Sequence, residues 1–388
     1  MTALKNLFAR QYVWALVALI VLLLIDVIKD PGYLAISSNS SGDLSGNLID
    51  ILRQTAPILM IAVGMTLVIA TEGIDLSVGS VMAVAGAVTM QFLSSADNTV
   101  GAAFTALGLA LLVSLALGLV NGILVAWVGL QPFITTLIMM LSGRGIARVI
   151  TGGQNTAAEN DLVNWIANGR VIGFPVVTII AAVIVVIVAL LVRRTALGMM
   201  IESLGINSKA SRLLGIRPKP LLLTVYALSA LLAGIGGIFS TASVMTVEVS
   251  RTGLDLEMDA ILAVVVGGTS LAGGKFSIAG SVIGALLITT LNKTVVFLSI
   301  PSTATPAFKA IVIVVVCLLQ SQRVRSWLKR KRRPSPTPPT LPSTDGEVVT
   351  DDAEQKTLEP ATVESPAGSG RHAADDGDAT EQTKGEQA

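Results

Sequence analysis

The chain has 388 residues, of which 52% are apolar, 14% charged and 4% aromatic, with a mean hydropathy of +0.73. A soluble domain carries about 25% charged residues, so this composition excludes an ordinary globular enzyme. The formal net charge of +1 conceals a division: residues 334–388 hold twelve acids and three bases, leaving 14 acids and 24 bases in the body before them.

Apolar runs long enough to cross a bilayer, about 17 to 25 residues each, fall at 12–29, 54–72, 77–95, 101–129, 132–152, 172–192, 220–244, 258–272, 277–300 and 306–322. The first lacks a small-residue cleavage pattern and ends at Asp26, Lys29, Asp30 and Pro31, so it reads as a span and not as a signal peptide. The fourth is long and the eighth short. Their Ala, Gly, Ser and Val content suits close helix packing in lipid. The predicted fold is therefore an all-α polytopic membrane protein of about ten transmembrane helices. Residues 1–11 precede the membrane domain 12–322, a basic segment 323–333 follows it, and the acidic tail 334–388 is expected to be disordered. That tail holds seven of the fifteen prolines and too little apolar surface to offset chain entropy.

Lys and Arg fix the expected orientation. They crowd the N-terminus (Lys5, Arg10), the loop 193–219 (Arg193, Arg194, Lys209, Arg212, Arg217, Lys219) and the segment after the tenth run. Ten crossings put all three clusters on one side, so both termini are expected in the cytoplasm and the segments 30–53, 154–171 and 245–257 outside. Arg170 and Arg251 dilute this bias without reversing it.

Two glycine-rich stretches interrupt the apolar pattern in similar ways, Thr71–Val81 and Gly267–Val282. Paired interruptions of this kind mark a transporter's pathway or gate, and tight turns between helices give the same pattern. Asp75 fits two roles, a cap for a helix beginning near Leu76 or Ser77 or a pathway carboxylate. Asp259 fits an outer interface or the pathway. Asn121, Gln131, Arg144 and Asn292 also break apolar runs, as interhelical hydrogen-bonding groups or substrate contacts. Lys293 and Lys309 are expected to snorkel outward. In the loop 193–219, Asn207 as N-cap and Gly215 as stop predict a short helix from Ser208 to Leu214, suited to docking another protein. The single Cys317 and single His372 exclude a disulfide framework and a His-rich metal site. Gly274-Lys275 lacks the Ser/Thr and the upstream Gly of a phosphate loop, so no nucleotide site is read in this chain.

Several of these residues together resemble the ribose/xylose/galactofuranose type of ABC sugar importer permease. The stretch Gly64–Thr71 running into Gly73-Ile74-Asp75-Leu76-Ser77-Val78-Gly79 carries the resemblance, with Asn121-Gly122, Gln131–Leu137, Thr151-Gly152-Gly153, Thr195–Gly198, Leu204–Asn207, Gly215-Ile216 and Gly267–Gly274 in the same order. It covers about residues 50–325, and Gly198–Glu202 with Gln320–Arg323 look most like the galactofuranose branch. Where the family often has Gly, this chain has Glu72. The resemblance implies a membrane subunit that binds no cofactor, with ATP and Mg used by a partner. Its implied partners are cytoplasmic ABC ATPase subunits, an extracytoplasmic sugar-binding protein and a second permease copy or paralogue in the bacterial inner membrane; nothing points to nucleic acid. It also implies coupling to the ATPase through Glu202, Leu204, Gly205, Asn207, Lys209, Arg212 and Gly215. A pathway or gate would include Gly73, Asp75, Ser77, Gly267, Gly268 and Thr269, joined by Asn121, Gln131, Arg144, Asp259 and Asn292.

Three other classes stand beside this one. An ion-coupled secondary sugar transporter would use Asp75 or Asp259 and no ATPase. A membrane-embedded enzyme would need a clustered acid/base set or metal ligands, and a passive channel would need no coupling loop.

Overall fold

The computed structural model describes residues 12–38 and 43–320. The expectations for residues 1–11, 323–333 and 334–388 lie outside them. Thirteen α-helices are found among the described residues: α1 Tyr12–Lys29, α2 Asn47–Ala70, α3 Val78–Leu93, α4 Val100–Ile123, α5 Pro132–Ile150, α6 Asp161–Asn168, α7 Val176–Arg194, α8 Ala196–Ile206, α9 Ser208–Leu213, α10 Pro218–Val244, α11 Leu256–Val266, α12 Ile278–Phe297 and α13 Thr305–Gln320. A π-helical turn, Leu124–Val128, prolongs α4. Three short antiparallel pairs fasten loops: Ser37–Ser38 with Leu44–Ser45, Thr156–Ala157 with Thr246–Val247, and Arg170–Val171 with Phe174–Pro175.

Among the described residues six helices are long and apolar enough to cross a membrane: α2, α4 with its π turn, α5, α7, α10 and α12. The helix α3 is a shorter apolar segment. The eighth expected span, 258–272, contains only the 11-residue α11, which ends at Gly267. The reason is local: Gly267, Gly268, Gly273 and Gly274 cannot sustain a helix against their conformational freedom, and three of them adopt left-handed backbone. At about 1.5 Å per residue, α3 and α11 span about 24 and about 16 Å, short of a hydrocarbon core of about 30 Å.

The core is built on α2 and α10. The helix α10 packs against α2, α3 and α4, while α12 packs against α1, α2 and α11. Met60, Ile61, Met65, Leu67 and Ile69 of α2 are wholly buried. This is the pattern of a central helix apolar all round, in contrast to α7, whose Val183, Val186, Ile187 and Leu190 are exposed. Small residues allow the closest crossings: a Cβ on Gly284 of α12 would overlap the Ala263 carbonyl of α11.

Cys317 is partly buried and packs against the main apolar cluster, as expected for a small apolar filler.

Candidate functional site

The turn 71–77, between α2 and α3, is irregular backbone enclosed by helices, a state tolerated at membrane depth only where protein or a cavity surrounds it. Asp75 organises it. Its Oδ1 accepts from the Ser77 amide at 3.0 Å and the Ser77 hydroxyl at 2.5 Å, and its Oδ2 accepts from Ser229 Oγ of α10 at 2.9 Å. Asn121 Nδ2 of α4 donates to Ser77 Oγ at 2.9 Å, and Thr136 Oγ1 of α5 donates to the Ile74 carbonyl at 3.0 Å. The turn is thus tied to three helices: to α10 by the Asp75 carboxylate itself, to α4 through Ser77 and to α5 through the Ile74 carbonyl. The helix begins at Val78 with Ser77 in the N-cap position, so Asp75 combines local capping with interhelical bonding. Gly73 lies under Tyr226, whose hydroxyl would stand 2.8 Å from a Cβ there.

Glu72 is in left-handed backbone, φ 66°. A non-glycine side chain is disfavoured there, which explains physically why glycine suits the position.

A second polar group lies against the first turn of α3. Arg144 of α5 donates from Nη2 to the Gly253 carbonyl at 3.0 Å and from Nη1 to the Thr252 carbonyl at 3.4 Å. Glu257 of α11 places Oε1 3.9 Å from Arg144 Nη2. The carbonyls belong to residues 245–255, which run from the end of α10 to α11. Two backbones touch here: a Cβ on Gly253 would overlap the Gly79 carbonyl, and one on Gly79 would overlap both Gly253 O and Glu257 Oε2.

Asp259, Asn292 and Lys309 form a separate cluster. Lys309 Nζ donates to both carboxylate oxygens of Asp259 at 2.9 Å, and Asn292 Nδ2 is 3.5 Å from Oδ2. Asp259 is buried. Lys309 and Lys293 are both held in ion pairs, the second with Asp50 at 3.2 Å. Gln131 sits exposed at the start of α5 and joins none of these groups.

The loop 193–219 folds as an elbow of α8 and α9. Asn207 Oδ1 accepts from the Ala210 amide at 3.0 Å, and Gly215 ends the turn in left-handed backbone, φ 86°, as the capping residues predict. Leu204 and Gly205 are buried, while Lys209, Arg212, Leu213 and Leu214 are exposed; Glu202 is partly exposed. A hollow of about 420 Å³ beside them is lined in part by Arg212, Gly215, Arg217 and Lys219. The buried side of the elbow meets both glycine-rich turns. A Cβ on Gly205 would overlap the Ala70 carbonyl at the end of α2 and would stand 2.5 Å from the Gly274 nitrogen, and that Gly274 amide donates to Ala70 O at 2.9 Å.

In the other turn, Gly267 caps α11 and lies so close to α12 that a Cβ would overlap Gly280. Gly268 follows it in left-handed backbone. Thr269 is buried, and its Oγ1 accepts from the Ser277 amide at 3.4 Å. Sequence reasoning missed Ser229, Tyr226, Thr136 and Glu257. Single hydroxyls inside apolar helices give no signal, and Glu257 was hidden among the neighbouring acids Asp255 and Asp259.

Tyr33, in the loop after α1, stacks against Phe297 with centroids 4.7 Å apart. Its hydroxyl is held above the usual phenol range, first by burial and then by the Asp26 charge.

Among the described residues no cluster of three or more His, Cys, Asp and Glu is placed to hold a metal ion. Comparison with known proteins supplies the remaining link. Residues 47–319 match the family described as branched-chain amino acid transport system / permease component. The fructose import permease of Bifidobacterium longum is 54% identical over 84% of this chain and 93% of its own length. The galactofuranose transporter permease of Escherichia coli is 42% identical over 83% and 95%, and its ribose import permease 40% over 80% and 93%. No solved structure matches the chain. With several membrane-length helices and a match spanning most of its body, this chain is a multi-pass membrane protein that belongs to the family of permease components of ABC import systems, the sugar import permeases among them.

Proposed function

We propose that this chain is the permease subunit through which an ATP-driven, binding-protein-dependent importer moves a monosaccharide inward. The related fructose, galactofuranose and ribose permeases set the substrate class. The observation that carries the mechanism is the junction of Gly205, Ala70 and Gly274, where the elbow α8–α9 abuts both interrupted turns at once. A rigid push or pull on the elbow then reaches Asp75's turn and the Gly267–Gly274 turn together. That is what alternating access by an external motor requires.

On this reading, cytoplasmic ABC ATPase subunits hold ATP and Mg and grip the elbow through exposed Leu213, Leu214, Lys209 and Arg212. Glu202, Leu204, Gly205, Asn207 and Gly215 shape it. The chain crosses the bacterial cytoplasmic membrane about ten times, with α3 and α11 as the short crossings and both termini inside. The segments 30–53, 154–171 and 245–257 face a sugar-binding protein. A second permease copy or paralogue completes the transmembrane pair. The permease domain is 12–322, followed by the basic segment 323–333 and a disordered tail 334–388. Asp75, Ser77 and Asn121 brace the inner turn, while Asp259, engaged by both Lys309 and Asn292, braces α11.

The test is uptake of labelled fructose, ribose and galactofuranose-containing sugars into vesicles carrying this chain with its binding protein, ATPase and partner permease. Uptake should stop when internal ATP is removed and persist when the proton gradient is collapsed; the reverse pattern makes the protein an ion-coupled transporter. In the same vesicles Leu213→Asp together with Leu214→Asp should abolish uptake without changing thermal stability, because both side chains are at least 80% exposed. Unimpaired uptake by that variant removes the elbow as the docking element.

A further inference from the structure

Residues 245–255 form a strap. It is fastened at one end by the pairing of Thr246–Val247 with Thr156–Ala157 and by the Val249 amide donating to Asn155 Oδ1 at 3.3 Å. It then descends to the first turn of α3, where Gly253 in left-handed backbone, φ 72°, meets Gly79 backbone to backbone. The Asp75 turn leads directly into the same start of α3, so strap and turn meet at one helix end.

We infer that this strap is the outward-side gate of the permease, closed in this structure, and that Arg144 is the positioning residue that latches it. This rests on the permease reading above. The strap offers α3 glycine backbone with no side chain to hold it, so contact alone is weak. What retains it is the Arg144 guanidinium, which collects the Thr252 and Gly253 carbonyls from α5. A charge-assisted hydrogen bond in a low-dielectric setting is worth roughly twice a neutral one. A guanidinium's planar fork grips two carbonyls at once, which an ammonium cannot do with the same geometry. Glu257 supplies the counter-charge, with side-chain exposures of 19% for Arg144 and 6% for Glu257. The second oxygen of Glu257, Oε2, has no hydrogen-bond partner among the described residues. It lies against Gly79 in the first turn of α3. The latch is thus incompletely satisfied when closed, as a reversible gate needs. Lifting the strap leaves Arg144 with Glu257 and frees its remaining donors for another acceptor.

The experiment measures opening directly. Cys317 is the only native cysteine, so a Cys317→Ser chain carries single probes. Val249→Cys places the probe on the strap where it is 5% exposed, and Leu254→Cys places a control where exposure is 49%. Labelling by a hydrophilic maleimide is followed in nanodiscs, where both faces are reachable.

With Arg144→Gln, the Val249→Cys probe should react about tenfold or more faster, since an opening held by charge-assisted bonds gains at least that much population when they are lost. The Leu254→Cys control should not change. Arg144→Lys keeps the charge beside Glu257 but cannot hold both carbonyls, so it should give an intermediate rate; if the Gln variant does not fold, this one decides. Equal Val249→Cys rates in the native-latch protein and in a folded Arg144 variant overturn the latch. Transport loss with unchanged labelling also overturns it and leaves the permease reading intact. Absence of ATP-driven uptake by the unmodified chain sinks that reading, while the labelling contrast still judges the latch.

Discussion

At the scale of single residues, Asp75 shows how one carboxylate serves both local and long-range structure. Among the described residues its bonds come from one amide and two hydroxyls, with no cation. Asp75→Ala removes the acceptor for three donors that stay buried. Each such loss costs about 1–3 kcal/mol, so the variant should lose about 3 kcal/mol or more, read as a clear fall in Tm in detergent. Asp75→Asn, which keeps the shape and one acceptor, should fall less. Equal Tm for the two variants is the outcome this account cannot accommodate. Asp75 itself was legible in the sequence because a charged residue beside apolar runs is conspicuous. Ser229, 154 positions away, was not, because a serine in an apolar helix more often bonds to its own backbone, as Ser114 does to the Ala110 carbonyl.

At the scale of elements, the pairing of α11 with α13 rests on a buried ion pair. Lys309→Met leaves Asp259, 8% exposed, without its cation and, among the described residues, with one long side-chain contact from Asn292. Breaking such a pair on one side costs about 3–5 kcal/mol, and replacing both partners by apolar groups recovers much of it. Lys309→Met should therefore lower Tm more than the double change Lys309→Met with Asp259→Leu, a ranking that a thermal scan of the two purified proteins checks directly.

The helices were largely readable from apolar period and caps: α9 starts at its Asn207 cap and stops before Gly215 as those residues dictate. The eighth run was less so. Its Leu, Ala and Val residues continue the apolar signal to the edge of the membrane, while four nearby glycines end the helix early. The ion pairing of Lys293 and Lys309 was hidden for a different reason. A cation's partner lies 243 or 50 residues away, and only the packing of helices brings them together.

At the scale of the molecule, two short helices change what the membrane presents to a solute. Through most of the bundle the insulating layer is as thick as the helices that cross it. On the proposed topology it narrows at α3 and α11 to about 24 and about 16 Å of helix, with turn and strap making up the rest of the crossing. A transmembrane voltage concentrates across the thinnest dielectric, so any charge moved there would feel nearly the whole field, about 2.3 kcal/mol per elementary charge per 100 mV. A monosaccharide carries none. Initial uptake at fixed ATP should therefore be unaltered when the potential is clamped with valinomycin and set potassium gradients, and a steep dependence would mean that charge travels with the cargo. The passage is thus electrically silent for a neutral solute, while an ionised one would be driven or opposed by the voltage according to the sign of its charge.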